Sequence, residues 1–372
     1  MTDVSDAPRI LQFCHGYDGP FLDCARQYAR LFQDTPYRVT TVFLTGAPSE
    51  AAREGCASGE VIFLGFSSAQ VRGLKWQAMR DLRRICATRD FRFCIAHRFK
   101  PIYITLLATR LSVIGVHHAF DDYQRFSRRV FAHLFRHRLA LLGVSNAVRD
   151  NLRAALPAWP QTRIETLYNR IDIEAVQAGQ FPREAARAAL DLPVDAWIAG
   201  NVGRLHPDKD QATLIRAFAR ALPRLPAGSL LVILGGGRLE ADLKALAREL
   251  NVEESVRFLG QIPDARRYFK AFDVFALSSD HEPFGMVLLE SLAAGLPLIC
   301  SDCGGGREVA EGIGALFPFQ DENALALCLE NAASRKLPED YPARAAQHLW
   351  NHFSDQAGRA AFWRLGFVME FS

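Results

Sequence analysis

Residues 278–308 read SSDHEPFGMVLLESLAAGLPLICSDCGGGRE, and the punctuation of that stretch decides the fold. An apolar run, Val274 to Leu277, ends in the polar turn that opens it. Met286, Leu289, Leu292 and Ala293 then recur at helical spacing, Gly295 and Pro297 stop the helix, and a second apolar run, Leu298 to Cys300, follows. Strand, loop, helix and strand in this order make a unit of a parallel sheet. The loop carries Glu282 and the helix carries Glu290. Pro283, Phe284 and Gly285 stand at the helix start, where free backbone N–H groups and the positive dipole end favour an anion such as a phosphate. Gly285 lets a ligand approach the backbone closely. Along one continuous helix the two carboxylates would lie roughly 12 Å apart. That is too far for them to share a proton, and it suits two clamps on a long polar ligand. For the pair alone, a solvated glutamate at each position is the plainer reading.

The whole stretch says more. Glu282-Pro-Phe-Gly-Met-Val-Leu-Leu-Glu290, Ala294-Gly295-Leu-Pro297 and Gly304-Gly305-Gly306-Arg-Glu308 resemble the retaining GT-B glycosyltransferases of family 4. The resemblance implies that Glu282 contacts the donor sugar and Glu290 the ribose hydroxyls. It also implies an α/β chain of two doubly wound Rossmann-like domains facing across a cleft.

Length and composition agree with that expectation. A chain of 372 residues suits two domains of ordinary size. Hydrophobic content of 49% and charged content of 23% are those of a soluble globular protein. A formal charge of +3 argues against a dedicated nucleic-acid binder. The eight cysteines lack framework spacing, and no signal peptide precedes Arg9, so they read as reduced thiols in a cytoplasmic protein. Cys300-x-x-Cys303 has no second pair to complete a zinc site, and Cys300 reads as strand interior. No apolar run reaches the roughly 18 residues of a membrane span.

In the N-terminal half, Arg9 to Cys14 is a buried-strand pattern ending in His15-Gly16-Tyr17-Asp18-Gly19-Pro20, before a helical pattern from Phe21 to Phe32. A glycine loop between strand and helix is where an α/β domain first offers its backbone amides. The resemblance places the acceptor near Gly16, Tyr17, Asp18 and Gly19, although the family's usual Gly-Gly turn is replaced here. Both glycines serve equally well as plain turn residues. Further strands read at 39–44, 61–66, 93–97, 113–117 and 139–144, with helical segments between them, which implies a parallel doubly wound sheet. His97 and the doublet His117-His118 fall at strand ends, where ligands gather. A histidine there is as a rule hydrogen-bonded structure. The resemblance puts a histidine of this strand near the reacting sugar, and His117 is the preferred one, with His118 as its substitute.

Residues 125–138, RFSRRVFAHLFRHR, put Phe126, Val130, Phe131, Leu134 and Phe135 on one half of a helix and most of the arginines on the other. Two readings stand: a core-packed helix with a solvated basic face, or a surface for anionic lipid head groups or a phosphorylated acceptor. His133 and His137 lack a third metal ligand. Leu142-Gly-Val-Ser145-Asn146 and Tyr168-Asn169-Arg170 resemble the family's last strands of the first domain, with Arg170 where a small residue is usual.

Gln177 to Pro193 reads as a polar connector. Trp197 to Val202 is a strand, and Gly203-Arg204-Leu-His-Pro-Asp-Lys209-Asp210 is the loop after it. Arg204 and Lys209 can converge on one diphosphate, a planar fork and a point charge. The resemblance gives them that role and makes them catalytic, together with Glu282 and His117. Asp208-Lys-Asp210 reads as helix capping and not as a metal motif. Phe258 lies in the segment that the family sets against the nucleotide base, and Gly203, Phe284, Gly285 and Met286 complete the expected donor site.

The expected domains are 1–178 for the acceptor, 179–352 for the nucleotide sugar, and a terminal helix, 353–372, crossing back. The expected reaction is metal- and cofactor-independent hexose transfer with retention. The donor is a nucleotide-diphosphate sugar, UDP-linked by default and GDP-mannose as the alternative. The acceptor is an oligosaccharide or lipid-linked saccharide, taken as the lipopolysaccharide core. The enzyme would be cytoplasmic, peripheral at the inner face of the inner membrane through helix 125–138. Two rivals remain open: another enzyme of the same fold (an epimerase or phosphorylase), or a non-catalytic nucleotide-sugar-binding scaffold.

Overall fold

Apolar runs separated by helical segments become parallel strands in the computed structural model, which describes residues 7–335 and 337–372. The chain divides into two units. One holds the residues up to Asn169 together with Asp355–Ser372, and the other is Arg170–Ser354.

The first unit is built on β1 (Arg9–Cys14), β2 (Arg38–Thr45), β3 (Glu60–Phe66), β4 (Phe91–His97), β5 (Ser112–His117), β6 (Leu139–Gly143) and β7 (Ile164–Thr166). Their order is β3-β2-β1-β4-β5-β6-β7, every neighbouring pair parallel. Helices cover the faces, which is why β1 and β6 are nearly continuous apolar runs. The order reverses at β1, so the carboxyl ends of β1 and β4 flank the crevice where such sheets bind ligands.

The second unit repeats the plan with β8 (Ile198–Val202), β9 (Leu230–Leu234), β10 (Val256–Gly260), β11 (Val274–Leu277), β12 (Leu298–Ser301) and β13 (Ala315–Phe317). The order is β10-β9-β8-β11-β12-β13, again parallel, with the reversal between β8 and β11. Its core is a continuous cluster that includes Leu214, Phe218, Leu231, Ile233, Val274 and Leu325. Both sheets therefore present the arrangement expected of a GT-B fold, two doubly wound Rossmann-like units.

Three local expectations change. The divide falls after Asn169 and after Ser354, where the sequence placed it at 178 and 352. The helix Ile173–Gly179 belongs to the second unit because it packs on the helix Met286–Ala293: Gln177 donates to the Ala293 carbonyl and Gln180 to that of Glu290, each at 3.4 Å. The supposed connector is likewise structural. Arg187, on the helix Arg183–Ala189, is fully buried; it donates to the Ala271 carbonyl at 2.9 Å and to Asp273 at 2.9 Å. The same Asp273 accepts from Arg183 at 2.7 Å and from the Ile198 backbone at 2.7 Å, which pins the start of β8.

The third change concerns helix Phe126–Leu134. Its apolar half does not pack as one face. Phe131 packs on Phe99 and Tyr103, with ring centroids 5.8 and 5.0 Å apart, whereas Phe126, Val130 and Leu134 are exposed. The apolar sector is wider than the neighbouring helix Phe99–Ala108 can cover.

The last helices, Asp355–Phe362 and Gly366–Phe371, are held within the first unit. Arg26 pairs with Asp355 at 2.7 Å, the Trp363 indole donates to the Leu31 carbonyl at 3.0 Å, and its ring stacks on Tyr37. Among the described residues no helix is long and apolar enough to cross a membrane.

Candidate active site

The loops after β8 and β11 meet at the switch point of the second sheet. Ser278 ties them by donating to the carbonyls of Lys209 and Asp210 at 3.0 and 2.9 Å, and the Asp280 backbone donates to Asp208 at 3.2 Å. On that frame the Lys209 ammonium lies 2.5 Å from the Glu282 carboxylate, both side chains largely shielded from solvent. Arg204 stands free of the frame: its side chain is 71% exposed and reaches only Asp208, at 3.4 Å. An exposed pair of that kind is held weakly. The guanidinium can leave it for an incoming anion at small cost. Asp208 also bonds His206, and Asp210 caps the helix Gln211–Ala221 through the Thr213 backbone at 3.4 Å. Among the described residues no group of three or more His, Cys, Asp or Glu side chains converges as a metal site.

Glycine lets the backbones close around this point. Gly203 donates to the Leu234 carbonyl at 2.9 Å, and a Cβ on Gly235 would sit 1.9 Å from the Gly203 carbonyl oxygen. Across the site, a Cβ on Gly305 would come within 2.2 Å of the Pro283 carbonyl, and the Gly305 backbone donates to that of Glu282 at 2.8 Å. The glycine triplet thus exists to let helix Gly304–Ala310 press on the Glu282 turn.

Glu282 and Glu290 do not share a helix. Gly285 takes φ +90° and the helix starts only at Met286, so the 12 Å continuous-helix geometry does not apply. No side chain caps that start; the Leu288 N–H donates to the Gly285 carbonyl at 2.9 Å, and the N–H groups of Met286 and Val287 before it are the ones an anion could take. Met286 and Glu290 are half-buried on the helix. The Phe284 ring is buried against Phe353 at 5.7 Å, so this position can offer a ligand only its backbone. Phe258 is not brought to the site: its ring lies 5.8 Å from the Lys244 ammonium, beside helix Glu240–Glu249. The end of its strand does reach the glycine turn, since the Gly260 carbonyl accepts from Gly235 at 2.7 Å.

In the first unit the β1 loop and the ends of β4 and β5 gather four histidines, His15, His97, His117 and His118. His118 stacks on His97, their ring nitrogens 3.1 Å apart. Burial, reinforced by the His117 and Arg98 side chains, pushes the His118 imidazole down to about 3. His15 is pushed down to about 4 by burial and by the Lys100 and Arg98 charges. His117 is fully buried and bonds Asp122 through Nδ1 at 2.7 Å. Burial alone would raise the Asp122 carboxyl, but the His117 bond and the Arg128 and Arg98 charges outweigh it and hold the group below its ordinary range. An ionised carboxylate can only accept, so His117 Nδ1 is the donor. Its Nε2, like His97 Nε2 and His15 Nδ1, is buried with no hydrogen-bond partner among the described residues. Buried polar groups left open in this way call for a partner.

The β1 loop is less available than its glycines imply. Tyr17 is anchored by a 2.5 Å bond to the Ala47 carbonyl and by edge contacts to Phe43 and Phe63. Gly16 lies against Thr45, while Asp18 and Gly19 are exposed. Sequence reasoning missed Arg98, which holds φ +72° at the end of β4 with its guanidinium 4.6 Å from the Phe21 ring. A bulky residue in that backbone region is strained, and such strain collects at functional sites. Nothing in the local pattern FCIAHRFK announces it.

Comparison with known proteins accounts for the plan. Residues 24–175 match the family model Glycosyltransferase Family 4, and residues 182–348 match Glycosyl transferases group 1. Over 166 residues (44% of this chain, 42% of the relative) the chain is 38% identical to the N-acetylgalactosamine-N,N'-diacetylbacillosaminyl-diphospho-undecaprenol 4-alpha-N-acetylgalactosaminyltransferase of Campylobacter jejuni. Over 184 residues (48% and 52%) it is 36% identical to the lipopolysaccharide core biosynthesis glycosyltransferase LpsE of Rhizobium meliloti. Over 212 residues (53% and 50%) it is 34% identical to the D-inositol 3-phosphate glycosyltransferase of Corynebacterium urealyticum. The matches span about half the length of these relatives. The crystal structure of HepE from Anabaena in complex with UDP has the same fold, with a TM-score of 0.76 at 19% identity over 98% of this chain and 100% of that one. The two family models, one over residues 24–175 and one over residues 182–348, together cover most of the chain, and its two Rossmann-like sheets have the GT-B fold of group 1 and family 4 glycosyltransferases.

Proposed function

We propose that the protein transfers a hexose from UDP-hexose, with retention at the anomeric carbon, to the core oligosaccharide of lipopolysaccharide on the cytoplasmic side of the membrane. The observation that carries the donor half is the Lys209–Glu282 pair beside the exposed Arg204 at the switch point of the second sheet. Lys209 and Arg204 bind the diphosphate, Glu282 orients both Lys209 and the sugar, and Glu290 takes the ribose. As the bond from the anomeric carbon to the diphosphate breaks, the leaving oxygen takes the electron pair, and the two cations stabilise that charge. The acceptor hydroxyl oxygen bonds the anomeric carbon from the same face and passes its proton to the departing phosphate. No protein nucleophile and no metal takes part. The acceptor belongs to the carboxyl ends of the first unit's strands, where His117, His118 and Gly16 to Gly19 lie.

UDP as the donor base is supported by the UDP complex of HepE, and the lipopolysaccharide core by the likeness to LpsE. The Campylobacter and Corynebacterium relatives are named for other acceptors, a diphospho-undecaprenol-linked sugar and inositol 3-phosphate. The test offers UDP-glucose, UDP-galactose and GDP-mannose with truncated lipopolysaccharide core, an undecaprenyl-diphosphate saccharide and inositol 3-phosphate, and reads the product linkage by NMR. An α-linked product on the core from an α-linked UDP donor supports the reading. A β-linkage refutes retention, and turnover only on another acceptor moves the substrate.

A further inference from the structure

We propose that the first unit docks on an anionic bilayer through two neighbouring elements, the exposed stripe of helix Phe126–Leu134 and the turn at residues 72–76. Phe126, Val130 and Leu134 recur every fourth residue and are 73%, 49% and 73% exposed. They form one stripe, while Phe131 turns to another sector of the helix and packs on Phe99 and Tyr103. Leu74 and Trp76, 58% and 69% exposed, come from a distant part of the chain. The two elements are bridged by Tyr103: the Lys75 ammonium lies 4.7 Å from its ring, and the ring lies 5.0 Å from that of Phe131. Five large apolar side chains, a tryptophan among them, thus stand in solvent on adjoining elements of one unit.

Charge selects the occupant. Residues 61–149, which include this face and its supports, contain sixteen Lys and Arg against four Asp (Asp81, Asp90, Asp121 and Asp122) and no Glu, although the whole chain carries only +3. Arg125, Arg129 and Arg136 lie beside the apolar stripe, exposed and without an ion pair among the described residues. An apolar stripe bordered by arginines, with an aromatic residue at its margin, is the pattern of a helix lying in the plane of a bilayer interface. A protein partner would have to be both apolar and strongly acidic at matching positions. Neutral lipid would leave the arginines unanswered. The sequence expected the apolar half of this helix in the core beside a basic face; the structure leaves Phe126, Val130 and Leu134 exposed next to the arginines.

The inference does not depend on the donor chemistry, because every residue it uses lies in the first unit and apart from Arg204, Lys209 and Glu282. The test is cosedimentation of the full-length protein with vesicles of phosphatidylcholine alone and with about one-third phosphatidylglycerol. The expected result is binding to anionic vesicles that falls with salt, and little to neutral ones. Each arginine contributes about fivefold on an anionic surface, so Arg125→Gln/Arg129→Gln/Arg136→Gln should weaken binding about a hundredfold. Phe126→Ser/Leu134→Ser and Trp76→Ser should each weaken it about tenfold or more, with far-UV circular dichroism and the UDP-induced thermal shift unchanged. Equal binding to neutral vesicles, or variants that bind like wild type, overturns the proposal. So does a dimer in sedimentation velocity that Phe126→Ser/Leu134→Ser dissolves, since the stripe would then be covered by a second copy.

Discussion

The switch points of the two sheets are built on opposite principles. In the second unit each cation of the site comes with its own carboxylate, Lys209 with Glu282 and Arg204 with Asp208, and Ser278 and the glycine turns lock the loops to one another. In the first unit Arg98 and Lys100 form no ion pair among the described residues, and three buried histidine nitrogens lack partners. One site has its charged groups paired and its loops tied together. The other leaves its polar groups open.

The largest expected effect breaks the paired site. Lys209→Ala should lower kcat by about a thousandfold, the cost of removing a preorganised group facing developing charge. A loss of less than tenfold in transfer assays would mean that Lys209 does not face the leaving group. Next is the frame beneath it. Arg187→Ala removes a fully buried side chain with its bonds to Ala271 and Asp273, and should cost about 3 kcal/mol of stability in urea unfolding; an unchanged midpoint would show that Arg187 does not hold the second unit at the start of β8. Gly305→Ala should do less, about 2 kcal/mol. Its Cβ displaces the Glu282 turn, so the loss should appear chiefly as donor affinity, measured by titration calorimetry.

The smallest effect belongs to the open site. The folded-state pKa values of His15 and His118 are depressed, to about 4 and about 3, so the unfolded chain binds protons that the native one refuses. The stability they contribute is complete above pH 6.5 and is lost as pH falls through the folded values. Each adds at most about 1.4 kcal/mol per pH unit to the slope. His118→Gln should flatten the fall in Tm between about pH 6.5 and 4. If it does not, the histidine is not held neutral by its surroundings.

The same contrast governs what could be read from the sequence. Strand β1 and strand β11 fall on the residues their apolar runs mark, and the loop motifs around Arg204, Lys209 and Glu282 came out together because spacing along the chain fixes spacing at a switch point. Elements whose pairing is set by tertiary neighbours were harder. The three-residue β13 has no period to detect, Arg187 looks like a surface residue of a polar connector, and Phe126 looks like core. Nor could the alternation along β5 say that His117 would turn to Asp122 and His118 to His97, since both partners arrive from other elements.

The central claim is the diphosphate site, and thermal shift addresses it most directly. UDP and its hexose conjugates should raise Tm, because a ligand selective for the native state adds about 2.7 kcal/mol at a hundred times its Kd. GDP and ADP should do so less, and Arg204→Ala, whose exposed side chain contributes little to the fold, should lose the shift while keeping its own Tm. No shift with any nucleotide at millimolar concentration, or an equal shift in Arg204→Ala, would contradict the account.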